Sequence, residues 1–383
     1  MLAGAYCAGF FAALRMTESG NLIRVIRGKN QSTYPVSPPR PMKIRLLPAL
    51  LLGAAQLIAQ DAAPASASPR KLGEYPLTAD SLPQAGVPQG KLAGPFEWNS
   101  KIIGGTVRRY WVYVPAQYTG EKPACLLVFQ DGQRALNPKG PLRVDQVLEN
   151  LIAKKDIPVT IGLFITPGSL SDHYPDNLDL GNPDNRANEY DALNDAYARM
   201  LIEELIPELR KTYRITDDPM GRVIGGTSSG AICAWTVAWE RPDQFRKVIS
   251  MIGSYTSIGY RPAHGNQPMV PGGDLYPTLI RKNPIKPIRI YLQDGENDLS
   301  NLTDTKGFKP EWTALTNEHG NWHLANEHML SALEYANVNA DRHQLEGPRY
   351  DVKHEWGDGN HSDTHGGALL PDILRWMFRD TAK

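Results

Sequence analysis

Residues 222–240 read RVIGGTSSGAICAWTVAWE. A short strand-like run, Arg222–Gly226, passes through Gly226-Thr227-Ser228-Ser229-Gly230 into a run of helix length, Ala231–Glu240. The spacing is Gly-x-Ser-x-Gly, and its position between a strand and a helix gives it a meaning the five residues alone lack. A tight strand-to-helix turn there holds Ser228 in a strained backbone conformation with its Oγ exposed. Gly226 and Gly230 fit because neighbouring backbones pass too closely for a Cβ. The helix that follows presents unpaired N–H groups and the positive end of its dipole behind the serine. Ser228 is therefore a candidate nucleophile, and the Ser229 N–H a candidate donor to an oxyanion. The plainer reading, a Gly/Ser turn that only caps a helix, is weighed against the residues downstream.

Outward from this turn, strand-like and helix-like segments alternate. Ala124–Gln130 (ACLLVFQ), Val159–Ile165 (VTIGLFI), Lys247–Ile252 and Ile288–Leu292 (IRIYL) are short apolar runs, as expected of strands buried on both faces. Phe96–Ile103 and Thr106–Val114, joined at Gly104-Gly105, read as an opening hairpin, and Tyr350–Trp356 as the last strand. Helices are expected at Val144–Ala153, Asp191–Tyr213, Leu324–Ala336 and Leu369–Phe378. In the second of these, Leu193, Tyr197, Met200, Leu201, Leu205 and Leu209 recur at spacings of three and four, giving one apolar face. The alternation predicts an α/β fold with a sheet of about eight strands, mostly parallel and flanked by helices.

The chain has 383 residues, with 41 Lys+Arg against 41 Asp+Glu, so its formal net charge is zero. That balance lacks the basic surplus of a nucleic-acid binder and of a polybasic membrane-surface protein. Three cysteines (Cys7, Cys125, Cys233) cannot build a disulfide scaffold, and no Cys-x-x-Cys is present to hold zinc. Cys125 falls in a strand-like run and Cys233 in a helix-like run, which predicts buried thiols. Near the N-terminus, Met42-Lys43-Ile44-Arg45 precedes the apolar stretch LLPALLLGAA (46–55) and the small residues around Ala59. This is the pattern of a secretory signal peptide, and it is too short to span a bilayer. The expected organisation is an over-extended N-terminus over 1–41, a signal peptide over 42–60, a linker over 61–90 and one domain over 91–383. Export to the periplasm or medium follows, with no stable membrane association after processing. A non-cleaved anchor is the alternative.

A serine nucleophile needs a base and an acid to orient it, and α/β-hydrolases place them in the chain order Ser, Asp or Glu, His. Strand IRIYL runs into Gln293-Asp294-Gly295-Glu296-Asn297-Asp298, where three acids compete. Asp298 is favoured over Asp294, which is read as fixing the turn at Gly295, and over Glu296. The last strand is followed by GDGNHSDTHGG (357–367), which offers His361 just past the strand end. His354 lies inside the strand-like run, and His365 stands at the start of the closing helix, so His361 is the favoured base. His361, Asp363 and His365 alternate and raise the question of a metal site, but no further ligand cluster accompanies them. The acidic stretch 172–185 lacks the spacing of an EF-hand. No metal and no cofactor is expected, because acyl transfer of this kind requires neither. Trp235, Trp239, Trp322 and Trp356 are candidate aromatic walls of a substrate pocket, with core packing the commoner fate of such residues.

These residues together resemble the esterase D and enterochelin esterase-like family of α/β-hydrolases, whose relatives include bacterial feruloyl and acetylxylan esterases. The resemblance covers about residues 95–380. It is carried by RRYWVYVPAQY with LLVFQDGQ, by GGTSSGAICAWTVAWERPDQFRKVISMIGSY, and by GDGNHSDTHGG. It implies an α/β-hydrolase fold with Ser228 as nucleophile, Asp298 as acid and His361 as base. It also implies that the turn Asp131-Gly132-Gln133 forms the other half of an oxyanion hole begun by Ser229. The run Asn185-Arg186-x-x-Glu189-Tyr190-Asp191 also resembles the family and suggests Glu189 and Arg186 as pocket residues, with structural ion pairs the equal alternative. Asp131, Glu189 and Trp322 are thus the candidate substrate contacts. The stretch 303–318 looks like an insertion that shapes the pocket. The implied activity is that of an exported serine ester hydrolase taking small-molecule or carbohydrate esters, including phenolic and siderophore-type esters. An acyltransferase or serine peptidase on the same fold, and a non-catalytic binding protein, are the alternatives.

Overall fold

In the computed structural model, described over residues 73–176, 185–300 and 319–381, the apolar runs line up in a single sheet. The strands are β1 (Lys91–Asn99), β2 (Val107–Val114), β3 (Cys125–Gln130), β4 (Thr160–Ile165), β5 (Arg222–Thr227), β6 (Lys247–Met251), β7 (Arg289–Asn297) and β8 (Asp351–Asn360). Their spatial order is β1-β2-β4-β3-β5-β6-β7-β8. β1 and β2 are antiparallel, β2 joins β4 antiparallel, and every pairing from β4 to β8 is parallel. The expected sheet of about eight mostly parallel strands is the one observed.

The helices are α1 (Gly132–Ala135), α2 (Val144–Ala153), α3 (Arg186–Tyr190), α4 (Ala196–Arg199), α5 (Ile206–Arg210), α6 (Ser229–Glu240), α7 (Tyr276–Lys282), α8 (Trp322–Arg342) and α9 (Asp363–Met377). Successive strand residues alternate between two cores, as the pleat requires. Leu126, Val128, Ile224 and Val248 pack under α4 to α8. Leu127, Phe129, Val223 and Ile249 pack under α2 and α9. Burial on both faces is why these strands are apolar without alternation.

Several expected elements differ in their bounds. The helix expected from Asp191 begins at Ala196, and its centre, Met200–Leu205, is a π-helix leading into α5. Pro207, in the first turn of α5, has no N–H to donate back into the preceding turn, and a π stretch accommodates that gap. β7 and β8 run on past Leu292 and Trp356, paired as far as Asn297↔Asn360. The closing helix begins at Asp363, six residues before Leu369. Gly366 and Gly367 lie inside it because a Cβ on either would meet the Met251 Sδ at 2.5 Å or the Pro141 carbonyl oxygen at 2.3 Å.

The span 61–90 was expected to be a linker, but its described part is tied to the domain. Asp80 pairs with Lys154 and Arg375, and the Asn150 side chain donates to the Asp80 and Leu82 carbonyls. Ser81 is buried. The signal-peptide span, residues 1–41, Cys7, the stretch 303–318 and most of the acidic loop lie outside the described residues. Cys125 and Cys233 are free and buried, and burial pushes both thiols up, Cys125 to about 11.

Candidate active site

Ser228 stands between the last residue of β5 and the first of α6, with φ 57° and ψ −123°. That positive φ is strained for a residue with a Cβ, and the surroundings hold it. Its N–H donates to the Met251 carbonyl, and its carbonyl accepts from the Ser254 N–H at 3.2 Å. A Cβ on Gly226 would come within 2.5 Å of the Gly230 backbone, so only glycine lets the helix fold back against the strand. Asp298 follows the end of β7 and His361 the end of β8, so two neighbouring parallel strands deliver the acid and the imidazole side by side.

The structure brings the three together. The His361 Nε2 lies 3.0 Å from the Ser228 Oγ, and the His361 Nδ1 lies 2.5 Å from the Asp298 Oδ1. The same Asp298 oxygen accepts the Leu299 N–H at 2.5 Å. Asp298 and its neighbour Asp294 are both buried, and burial raises both carboxyls, Asp298 to about 6. Asp294 is raised further, because the Asp298 charge adds to burial. Asp294 is held by the Gly295 N–H at 2.7 Å and the Asn326 side chain at 2.8 Å. Glu296 faces solvent. Burial pushes the His361 imidazole down to about 4, so the ring is neutral at rest, the state a general base requires.

Ser229 is the first residue of α6 and Gln133 the second of α1, positions whose N–H groups have no acceptor within their helix. β3 and β5 are adjacent and parallel, so Asp131–Gln133 and Ser228–Ser229 emerge at the same edge of the sheet. The closeness is tight: a Cβ on Gly230 would sit 3.0 Å from the Gln130 Cβ and 3.3 Å from the Asp131 Oδ2. Gly132 has equally little room, since its Cβ would meet the Phe164 carbonyl carbon at 2.6 Å.

The remaining sequence candidates have the following partners in the fold. Asp131, expected to touch substrate, is buried at φ 52°, and both its oxygens accept from Arg186, at 3.1 and 2.8 Å. It braces the turn that carries Gly132 and Gln133, helped by the Tyr190 hydroxyl, which accepts the Asp131 N–H at 3.3 Å. Glu189 is buried in an ion pair. Its carboxylate takes two hydrogen bonds from the buried Arg108 guanidinium, at 2.7 and 3.0 Å, and others from Gly168 N–H and the Asn185 side chain. Trp322 is buried beside the serine. Its indole N–H donates to the Ser254 Oγ at 3.0 Å, and its ring stands edge-on to His361 at 5.8 Å. Trp235 and Trp239, on α6, are core residues, while Trp356 stands edge-on to His323 and tilted against His354.

His361, Asp363 and His365, alternating in sequence, hold separate partners. Asp363 accepts from Arg134 at 2.6 Å, and His365 meets the Gln293 side chain at 2.9 Å and stacks on Tyr75. Two residues that sequence reasoning did not single out complete the surroundings. Ser254 Oγ lies 3.0 Å from Ser228 Oγ, and Asn326 ties Asp294 to the Gly253 carbonyl. Gly253-Ser254 falls near the end of the family-like stretch GGTSSGAICAWTVAWERPDQFRKVISMIGSY, a signal of position but not of role.

Comparison with known proteins fits this geometry. The Esterase family model matches residues 100–345. A Bacillus subtilis (strain 168) protein, the uncharacterized YbbA, is 22% identical over 149 residues, which is 39% of this chain and 57% of that protein. Among solved structures, the enterobactin esterase of Shigella flexneri is similar at TM-score 0.53 and 20% identity, over 79% of this chain and 63% of that one. A ferulic acid esterase from Anaeromyces mucronatus is similar at TM-score 0.53 and 16% identity, over 78% of this chain and 94% of that one. The chain therefore spans less than two thirds of the length of the curated relative and of the enterobactin esterase. The structural likenesses establish the α/β-hydrolase fold. No helix among the described residues is long and apolar enough to cross a membrane.

Proposed function

The chain belongs to the Esterase family, and from that premise we propose that it is a serine carboxylic-ester hydrolase working through an acyl-enzyme. The observation that carries this reading is the hydrogen-bonded line from Ser228 Oγ through His361 to Asp298, at 3.0 and 2.5 Å, on a strained turn. His361 Nε2 takes the hydroxyl proton as Ser228 Oγ forms its bond to the ester carbonyl carbon. Asp298 keeps the Nδ1–H in place and stabilises the imidazolium that results. The carbonyl oxygen, now negative, is received by the N–H groups of Ser229 and Gln133, each such donor contributing ~3–4 kcal/mol at comparable sites. Collapse of the intermediate breaks the bond to the alcohol, which leaves with the proton from His361. Water then repeats the sequence and releases the acid. No cofactor takes part.

The substrate class proposed is an acyl ester of a phenolic acid, a carbohydrate or a siderophore, the kind of ester named for the enterobactin and ferulic acid esterases that share the fold. The Lys43/Arg45, apolar, small-residue pattern supports export, with cleavage near residue 60. N-terminal sequencing of protein made in a bacterial host is expected to start near residues 60–63, and an intact Met1 product refutes export. The enzymatic reading is tested with a short p-nitrophenyl ester, followed by feruloyl, acetyl, glucuronoyl and siderophore esters. Ser228→Ala is expected to lower hydrolysis by roughly 10⁴-fold or more with little change in melting temperature. Activity that survives this substitution refutes the assignment.

A further inference from the structure

We propose that Ser254 is a fourth member of the catalytic group, donating its hydroxyl proton to Ser228 Oγ, an inference that rests on the ester-hydrolase reading above. Proton accounting along the hydrogen-bonded line gives the direction. His361 Nδ1 faces the ionised Asp298 at 2.5 Å and so carries the ring's single proton, which leaves Nε2 as an acceptor. The Ser228 hydroxyl, 3.0 Å from Nε2, must then donate to it, and that uses its only proton. Ser228 Oγ and Ser254 Oγ are 3.0 Å apart, so the proton between them belongs to Ser254. Trp322 secures the arrangement from the other side. Indole Nε1 is a donor only, and it donates to Ser254 Oγ at 3.0 Å, turning the Ser254 proton toward Ser228. Ser254 is fully buried, and its own N–H donates to the Ser228 carbonyl at 3.2 Å, so the two serines are locked together by backbone and side chain.

The chemical consequence lies in the charge on Ser228 Oγ. One lone pair of that oxygen takes the Ser254 proton and the other is left for attack on the carbonyl carbon. As His361 removes the Ser228 proton, negative charge gathers on Oγ before the new bond is complete, and the Ser254 hydroxyl meets that charge in a water-poor setting. In deacylation the same oxygen leaves the tetrahedral carbon and regains its proton from His361, and the same donor stabilises it. The Ser254 O–H bond stays intact throughout.

The test is the rate at which a fluorophosphonate modifies Ser228, read by intact mass, alongside kcat and KM for p-nitrophenyl acetate. Ser254→Ala is expected to lower both the phosphonylation rate and kcat roughly tenfold, the effect of one hydrogen bond, with KM within about twofold of wild type. Ser254→Cys, nearly the same shape with a much weaker donor, is expected to lose rate in the same direction, and it provides the reading if the alanine variant fails to fold. A merely structural serine would shift the melting temperature and leave the phosphonylation rate of the folded protein unchanged. Wild-type phosphonylation in either folded variant, with Ser228 labelled normally in the parent protein, overturns this inference alone. A parent protein that neither labels at Ser228 nor cleaves any ester overturns the ester-hydrolase reading, and this inference with it.

Discussion

Burial sets the protonation states on which Ser228, His361 and Asp298 depend. The imidazole, pushed down to about 4, and the carboxylate, pushed up to about 6, form one titrating unit, so the acid limb of activity belongs to the pair. The proposed mechanism needs His361 neutral and Asp298 ionised. A lowered imidazole pKa extends the neutral form to more acidic solution, while the raised carboxylate sets the first loss as pH falls. The midpoint of the acid limb of kcat/KM is therefore expected between about 4 and 6, below the ordinary imidazole value of about 6.5. A pH profile of kcat/KM on an uncharged ester checks this, and a midpoint at or above 7 contradicts it. At this scale the sequence was legible where chain order constrains the choice, as for Ser228, Asp298 and His361. For Asp131 and Glu189 it left the arginine partners unnamed. Their arginine partners stand 55 and 81 residues away, and nothing local distinguishes a carboxylate held by a distant guanidinium from one facing substrate.

Elements reveal a second kind of illegibility, in which one residue type has opposite meanings in different places. Gly366-Gly367 reads as loop from sequence because glycine disfavours helix by about 1 kcal/mol relative to alanine. In the fold both lie in α9, where the neighbouring Met251 side chain and Pro141 backbone leave no space for a Cβ. Gly367→Ala is accordingly expected to destabilise the protein by about 1–3 kcal/mol, since its Cβ would press on the Pro141 backbone, which cannot swing aside. Denaturant unfolding measures it, and a stabilised variant would mean that helix propensity outweighs the clash. By contrast, α2 was predicted with its observed ends, Val144 and Ala153, because its apolar face is regular and Pro and Gly are absent from it. The order β1-β2-β4-β3 was beyond the sequence: it arises from crossovers that pack helices on both faces, and no strand's own pattern names its neighbour.

Across the whole molecule, the segment just before β1 links parts that are far apart in the chain. Tyr75 exchanges hydrogen bonds with Asp358 on β8, its hydroxyl donating to the carboxylate at 2.5 Å and accepting the Asp358 N–H at 2.9 Å. Its ring stacks on His365 of α9, with centroids 4.0 Å apart. Asp80 then joins α2, through Lys154, to α9, through Arg375. Composition alone reads this span as linker, because its polar, proline-rich residues acquire their roles from partners more than 280 residues downstream in the case of Tyr75. Tolerance to truncation follows burial and hydrogen bonding, not chain position. A chain lacking residues 1–72 keeps every one of these contacts and serves as the reference for melting temperature. Removal of residues 1–82 deletes the Tyr75 stack, the Asp358 bonds and both Asp80 ion pairs, and is expected to lower it by several degrees, each lost kcal/mol corresponding to roughly 2–4 °C in a domain of about 150–250 residues and less in a larger one. The longer deletion also frees β8, whose last residue precedes His361, so kcat is expected to fall with KM little changed. Equal melting temperatures and kcat for the two truncations would show that the segment merely rests on the surface. A loss in the longer one alone would place the anchor of the His361 strand near the start of the described chain.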